Sequence, residues 1–143
     1  MKVNGIAMLV AFAVMALLST ATSWTNASPD YIYKLPDSLI KDLKYETYLA
    51  TAYGANDSRD GTDGIGAMGT EVHFGDIAVD PDIIPLGSWV LIKGYGIFHA
   101  VDTGGKIKGH RIDIAYPTHE EAIELWGTRY VQVAILISGE QIS

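Results

Sequence analysis

The chain has 143 residues, is 48% hydrophobic and 19% charged, carries a formal net charge of −7 and contains no cysteine. That composition suits one packed domain behind a short leader, not a disordered chain. It excludes disulfides, thiolate metal sites and a cysteine nucleophile, and it gives no electrostatic pull toward nucleic acid or anionic lipid.

Residues 1–27 read as a targeting segment. Lys2 precedes an uncharged, mainly apolar run of 13 residues, Ile6 to Leu18, and small residues follow, with cleavage expected after Ala21, Ser23 or Ala27. The run is shorter than the ~20 residues of a comfortable membrane span. Extension through Trp24 leaves an uncleaved N-terminal anchor as the alternative. In either case the remainder is expected outside the cytoplasmic membrane, secreted or associated with the cell wall.

Residues 28–44 form a linker with Pro29 and Pro36, in which Asp37 or Ser38 caps a short helix carrying Leu39, Ile40 and Leu43. The compact domain is expected over residues 45–143. Glu46 to Tyr53 alternates as a strand, with Leu49, Thr51 and Tyr53 on one face. Gly54 to Gly69 is rich in Gly, Asp, Ser and Asn and reads as a loop. Ile77 to Val79 is a short buried strand that ends at Asp80-Pro81. Ser88 to Lys93 and Ile97 to Asp102 form a hairpin across Gly94-Tyr95-Gly96. Arg111 to Ala115 is a further strand. Thr118-His119-Glu120-Glu121 is a capping box that opens a helix with Ala122, Leu125 and Trp126 on one side, ended by Gly127. Arg129 to Ile137 closes the domain, with Val131, Val133, Ile135 and Ile137 on one face. There is no internal repeat. Many short strands and one short helix near the C-terminus favour an all-β fold, a small closed barrel.

Three aspartates end or interrupt apolar strands: Asp80 in Ile77-Ala78-Val79-Asp80-Pro81, Asp102 in Ala100-Val101-Asp102-Thr103-Gly104-Gly105, and Asp113 between Ile112 and Ile114. Strand-end aspartates commonly cap turns. Apolar flanks also desolvate a carboxyl group and raise its pKa into a catalytically useful range. Asp57, Asp60, Asp63 and Asp76 lie in polar surroundings and read as loop residues.

With these aspartates come TAY at Thr51 to Tyr53, GT at Gly69-Thr70, AVDP at Ala78 to Pro81, IPLG at Ile84 to Gly87, DTGG at Asp102 to Gly105, IKG at Ile107 to Gly109, RID at Arg111 to Asp113, and WG at Trp126-Gly127. In this order the motifs resemble the three-aspartate (3D) domain of bacterial cell-wall enzymes, over roughly Glu46 to Ile137. The resemblance implies a six-stranded double-psi β barrel, like that of membrane-bound lytic transglycosylase A and the Firmicute stationary-phase survival proteins. It also implies cleavage of the β-1,4 bond between N-acetylmuramic acid and N-acetylglucosamine in peptidoglycan, ending in a 1,6-anhydro sugar. The Gly54 to Gly69 loop matches the family only loosely.

Glycosidic cleavage needs an acid for the leaving oxygen, and a hydrolase needs a second carboxylate besides. A lytic transglycosylase uses one carboxyl for both proton transfers, because its nucleophile is the substrate's own 6-hydroxyl. That acid must stay protonated far above the ~3.9 of a free aspartate. Asp113 has the most apolar neighbours and is expected to be the general acid/base. Asp102 and Asp80 are expected to raise its pKa, orient the sugar or stabilise oxocarbenium charge. Thr51, Tyr53, Thr103, Gly104 and Lys108 are expected to bind substrate, Lys108 through a lactyl or peptide carboxylate. Trp89 and Trp126 read as packing residues. His73, His99, His110 and His119 show no ligand spacing, and neither metal nor cofactor is expected.

Two other readings compete. Val101-Asp102-Thr103-Gly104 also resembles the signature of aspartic proteases, but that leaves the AVDP and RID acids unexplained. A non-catalytic, expansin-like glycan-binding module would use the same barrel without needing all three acids.

Overall fold

The computed structural model describes residues 37–141; the expected targeting segment and the first part of the linker lie outside them. Six strands form a closed barrel: β1 (Glu46–Gly54), β2 (Asp76–Ala78), β3 (Trp89–Ile92), β4 (Gly96–Asp102), β5 (Arg111–Tyr116) and β6 (Arg129–Ile137). Their order around the barrel is β1-β5-β2-β4-β3-β6. The pairs β1/β5 and β2/β4 are parallel and the other four pairs antiparallel. Closure leaves no unpaired edge strand. This is the small double-psi barrel that the sequence leads one to expect.

Each strand forms because its alternation gives it one apolar face. Tyr48, Ala50, Ile77, Val90, Ile92, Phe98, Ala100, Ile112, Ile114, Val131 and Val133 fill the interior. The opposite faces of β1, β5, β2 and β4 carry Thr51, Tyr53, Asp113, Ala115, Ala78 and Val101. There a second apolar cluster gathers Tyr53, Ala55, Val72, Ala78, Val101, Ile107 and Ala115. The expected Gly94-Tyr95-Gly96 hairpin pairs Ile92 with Gly96.

Two expectations about faces change. In β6, Ile135 is 41% exposed while Ala134 and Leu136 are buried. The outer side of the barrel has its own apolar cluster here, with Ile40, Leu43 and Tyr45 packed against Leu91 and Leu136. The segment after the short helix α1 (Asp37–Ile40) thus gives β6 a second buried face, and strict alternation ends. The second helix, α2 (His119–Glu121), is capped by Thr118, whose hydroxyl accepts from the Glu121 amide at 3.2 Å. It runs on as a π-helical turn, Ala122–Trp126, closed by the Gly127 amide on the Ala122 carbonyl at 2.9 Å. The wider turn buries Ala122 and Trp126 but swings Leu125 outward, 58% exposed. Trp126 packs edge-on against Tyr95, with ring centroids 4.7 Å apart. Trp89 stacks on His99 at 4.1 Å.

Candidate active site

Strand register sets the site. Thr51 on β1 is partnered with Asp113 on β5, Asp113 with Ala78 on β2, and Ala78 with Asp102 on β4. One row across four strands therefore reads Thr51, Asp113, Ala78, Asp102. At ~4.8 Å per strand, the two aspartates stand about 10 Å apart at Cα, with only the Ala78 methyl between them.

Above this row lies a cleft of about 370 Å³. Its floor is Tyr53, Ala78, Asp102 and Asp113. One wall is the turn from Thr103 through Ile107, and the other is the loop after β1, with Asp60, Gly61, Thr62, Asp63 and Ile65. Four carboxyl groups line the cavity, and among the described residues no lysine or arginine does.

The two row aspartates differ in their hydrogen bonds. Asp102 has three donors: Oδ1 accepts from the amides of Ala67 (2.9 Å) and Thr103 (2.8 Å), and Oδ2 from the Tyr53 hydroxyl (3.1 Å). It locks the Thr103-Gly104 turn and the loop to the sheet. Asp113 accepts one bond, from the Thr51 hydroxyl to Oδ1 at 2.7 Å. Among the described residues its Oδ2 has no partner. Burial raises the Asp113 carboxyl to about 6, and the nearby charges of Asp60 and Asp102 add to the rise. The Thr51 hydrogen bond and Arg111 act the other way without cancelling it. Tyr53 is pushed strongly upward by burial and then by Asp102, so it stays a neutral donor.

Asp80 lies apart. It is 9% exposed, does not line the cleft, and gives both oxygens to backbone amides, Oδ1 to Asp82 (3.1 Å) and Oδ2 to Gly109 (2.7 Å). Those bonds hold its carboxyl below the ordinary range. Through these bonds it ties the segment before β5 to the end of β2. Lys108 is exposed and outside the cleft lining, as is Lys106. Lys108 acts on Asp80, whose charge it favours. Thr51 touches the cleft through Asp113, whereas Tyr53, Thr103 and Gly104 line it directly.

The polar loop contributes more than its composition indicates. Asp60 accepts from the Gly54 amide at 2.7 Å and meets His119 Nδ1 at 2.9 Å while facing the cavity. Asp76, at the start of β2 and outside the cleft lining, is raised by burial, with a smaller push from Asp102. A sequence signal for Asp60 existed in Gly54, which ends β1. A Cβ there would lie 2.6 Å from the His119 amide nitrogen, so only glycine lets β1 and α2 approach this closely.

Residues 76–137 match the family model of the 3D domain. The 3D-domain match takes in Asp80, Asp102 and Asp113, and leaves β1 and the loop after it outside. The cell wall-binding protein YocH of Bacillus subtilis is 46% identical over 94 residues, 63% of this chain and 32% of YocH. The putative cell wall shaping protein YabE of the same organism is 42% identical over 97 residues, 65% of this chain and 23% of YabE. The chain thus spans about a third of the one and a quarter of the other. Among solved structures, MltA from E. coli aligns with a TM-score of 0.44 at 27% identity, over 50% of this chain and 26% of MltA.

Proposed function

We propose that the protein is a peptidoglycan lytic transglycosylase, acting outside the cytoplasmic membrane, with Asp113 as general acid and then base. The observation that carries this reading is the contrast between the two row aspartates. Asp102 has three donors on its oxygens, whereas Asp113 has one, is half-buried, and titrates near 6. A carboxyl with that pKa can both give and take a proton near neutrality.

The Asp113 carboxyl protonates the glycosidic oxygen as the C1–O bond of the muramyl sugar breaks. The resulting carboxylate takes the proton of that sugar's 6-hydroxyl as the oxygen attacks C1. The 1,6-anhydro ring closes, Asp113 regains its proton, and no water is consumed. Asp102 supplies fixed negative charge on the far side of Ala78, where oxocarbenium charge develops. Tyr53 and the Thr103-Gly104 turn bind the sugar, and Asp80 positions the approach to β5.

A second reading, a non-catalytic glycan-binding module, is favoured by the name of YocH, a cell wall-binding protein. Incubation with purified peptidoglycan and mass spectrometry of the soluble fragments separates the readings. Anhydro-ended fragments support the transglycosylase, and hydrated reducing ends indicate a hydrolase. Sedimentation with the wall without release indicates a module.

A further inference from the structure

We propose that Asp60 is a positioning carboxylate for Asp113: anchored on the opposite wall of the cleft by Gly54 and His119, it is held in the cavity of the proton donor and sets that donor's electrostatic surroundings. The inference rests on the assignment of Asp113 as the acid.

Asp60 is anchored unusually well for a loop residue. The Gly54 amide donates to Oδ2 at 2.7 Å, and His119 Nδ1 lies 2.9 Å from each oxygen. The neighbouring Arg59 clamps the same turn, reaching Asp57 with Nε at 2.9 Å and the two Glu120 oxygens at 2.6 and 3.0 Å. The loop is thus fastened to α2 at two adjacent residues, and the carboxylate cannot swing out of the cleft without breaking its bonds to Gly54 and His119. Asp60 and Asp113 line one cavity.

The groups facing Asp113 are few. β1 offers the Thr51 hydroxyl and the Tyr53 phenol, β2 the Ala78 methyl, β4 Asp102, its own strand Arg111, and the loop Asp60 and Asp63, with His119 behind Asp60. Asp102 accepts from Tyr53, Ala67 and Thr103, and Asp63 from the Ile65 amide at 3.1 Å. Asp60 precedes Asp102 among the charges that raise Asp113. A loop-capping role alone explains the Gly54 bond. It does not explain why this carboxylate, uniquely bonded to an imidazole among the cleft acids, lines the same cavity as the donor.

The test is a carboxyl carbon-13 titration of the full chain labelled at aspartate, with the Asp113 signal assigned by its loss in Asp113→Asn. Asp60→Asn is expected to lower the Asp113 pKa by about half a unit or more. Asp60→Ser, which removes the charge with a smaller side chain, is expected to do the same, so the result does not hang on one variant folding. Asp60→Glu is expected to restore the wild-type value, and Asp63→Asn to leave it in place. An unmoved Asp113 titration in both neutral variants, or an equal fall in Asp63→Asn, overturns the proposal. The readout needs no turnover, so absence of anhydro products would overturn the transglycosylase reading and leave this result standing.

Discussion

Asp113 and Asp102 occupy one cross-strand row with Ala78 between them, both on the outer face of the barrel. They share a sheet and a cleft, yet the chain treats them oppositely. Tyr53 and two backbone amides fix Asp102 as an acceptor, and its work is to hold a turn and a charge in place. Asp113 is desolvated by the same second cluster that buries Tyr53 and Ile107, and it receives only the Thr51 hydroxyl. Burial with a single donor is what raises the Asp113 carboxyl and suits it to the part of the acid.

This arrangement costs stability. Raising a carboxyl from 3.8 to about 6 disfavours its charged form by about 3 kcal/mol in the folded protein. The native state binds the extra proton between those two values, so its stability falls as pH rises from about 4 to about 6. Asp113→Asn mimics the protonated acid and still accepts from Thr51. It is expected to be more stable than wild type at pH 7 by about 1–3 kcal/mol, with the gain vanishing toward pH 4. Urea unfolding at the two pH values measures this. The variant is also expected to release no anhydro fragments; full activity would remove Asp113 from the mechanism.

If protonated Asp113 is the active form, turnover follows its titration. Activity is expected to be level on the acid side of pH 6 and to fall about tenfold per unit well above it. Initial release of soluble fragments between pH 4.5 and 8.5 gives the profile. A plateau through pH 8 would mean that another group donates the proton.

The barrel and its strands were legible because their signals are local: alternation in β1, the glycine hairpin, the Thr118 cap. Asp113 is desolvated as expected, but not by its flanks: Ile112 and Ile114 face the barrel interior, and the second cluster on the Asp113 side of the sheet excludes the water. Asp80 has equally apolar flanks on its strand side, but the backbone folds back over it, so Gly109 and Asp82 donate to its oxygens. Which amides close on a carboxylate is a property of the loop path and is not encoded in its neighbours. Asp60 was hidden for the converse reason. Its sequence surroundings are polar, and only the approach of β1 to α2 carries it into the cleft. Lys108 fits a motif, but it is exposed, and the turn lines the cavity with Thr103, Gly104, Gly105 and Ile107.

Asp80 is expected to behave as a structural anchor. Its carboxyl is held below the ordinary range, so its contribution is present at neutral pH and fades as pH falls below about 4. Asp80→Ala leaves the Gly109 and Asp82 amides without partners and frees the segment before β5. Thermal unfolding is expected at lower temperature than wild type at pH 7, with the difference shrinking at pH 3. Residual activity is expected to keep the wild-type alkaline limb, because Asp80 does not face Asp113. A displaced limb would place Asp80 inside the titrating cluster.

Ala78 is the gap in the row. It is 3% exposed, yet its methyl forms the cleft floor between the two carboxyl groups. A leucine there would fill the space a sugar ring needs and press on Tyr53, Val101 and Ile107. Overpacking of this kind costs about 1–3 kcal/mol, which a six-stranded closed barrel can absorb. Ala78→Leu is therefore expected to fold, to bind and cleave glycan poorly, and to raise the Asp113 pKa further by excluding water. Ala78→Gly is expected to retain activity within about tenfold. Fragment release and the Asp113 carbon-13 titration, read on both variants, check the two effects separately. Wild-type cleavage by a folded Ala78→Leu would show that glycan does not enter between Asp113 and Asp102.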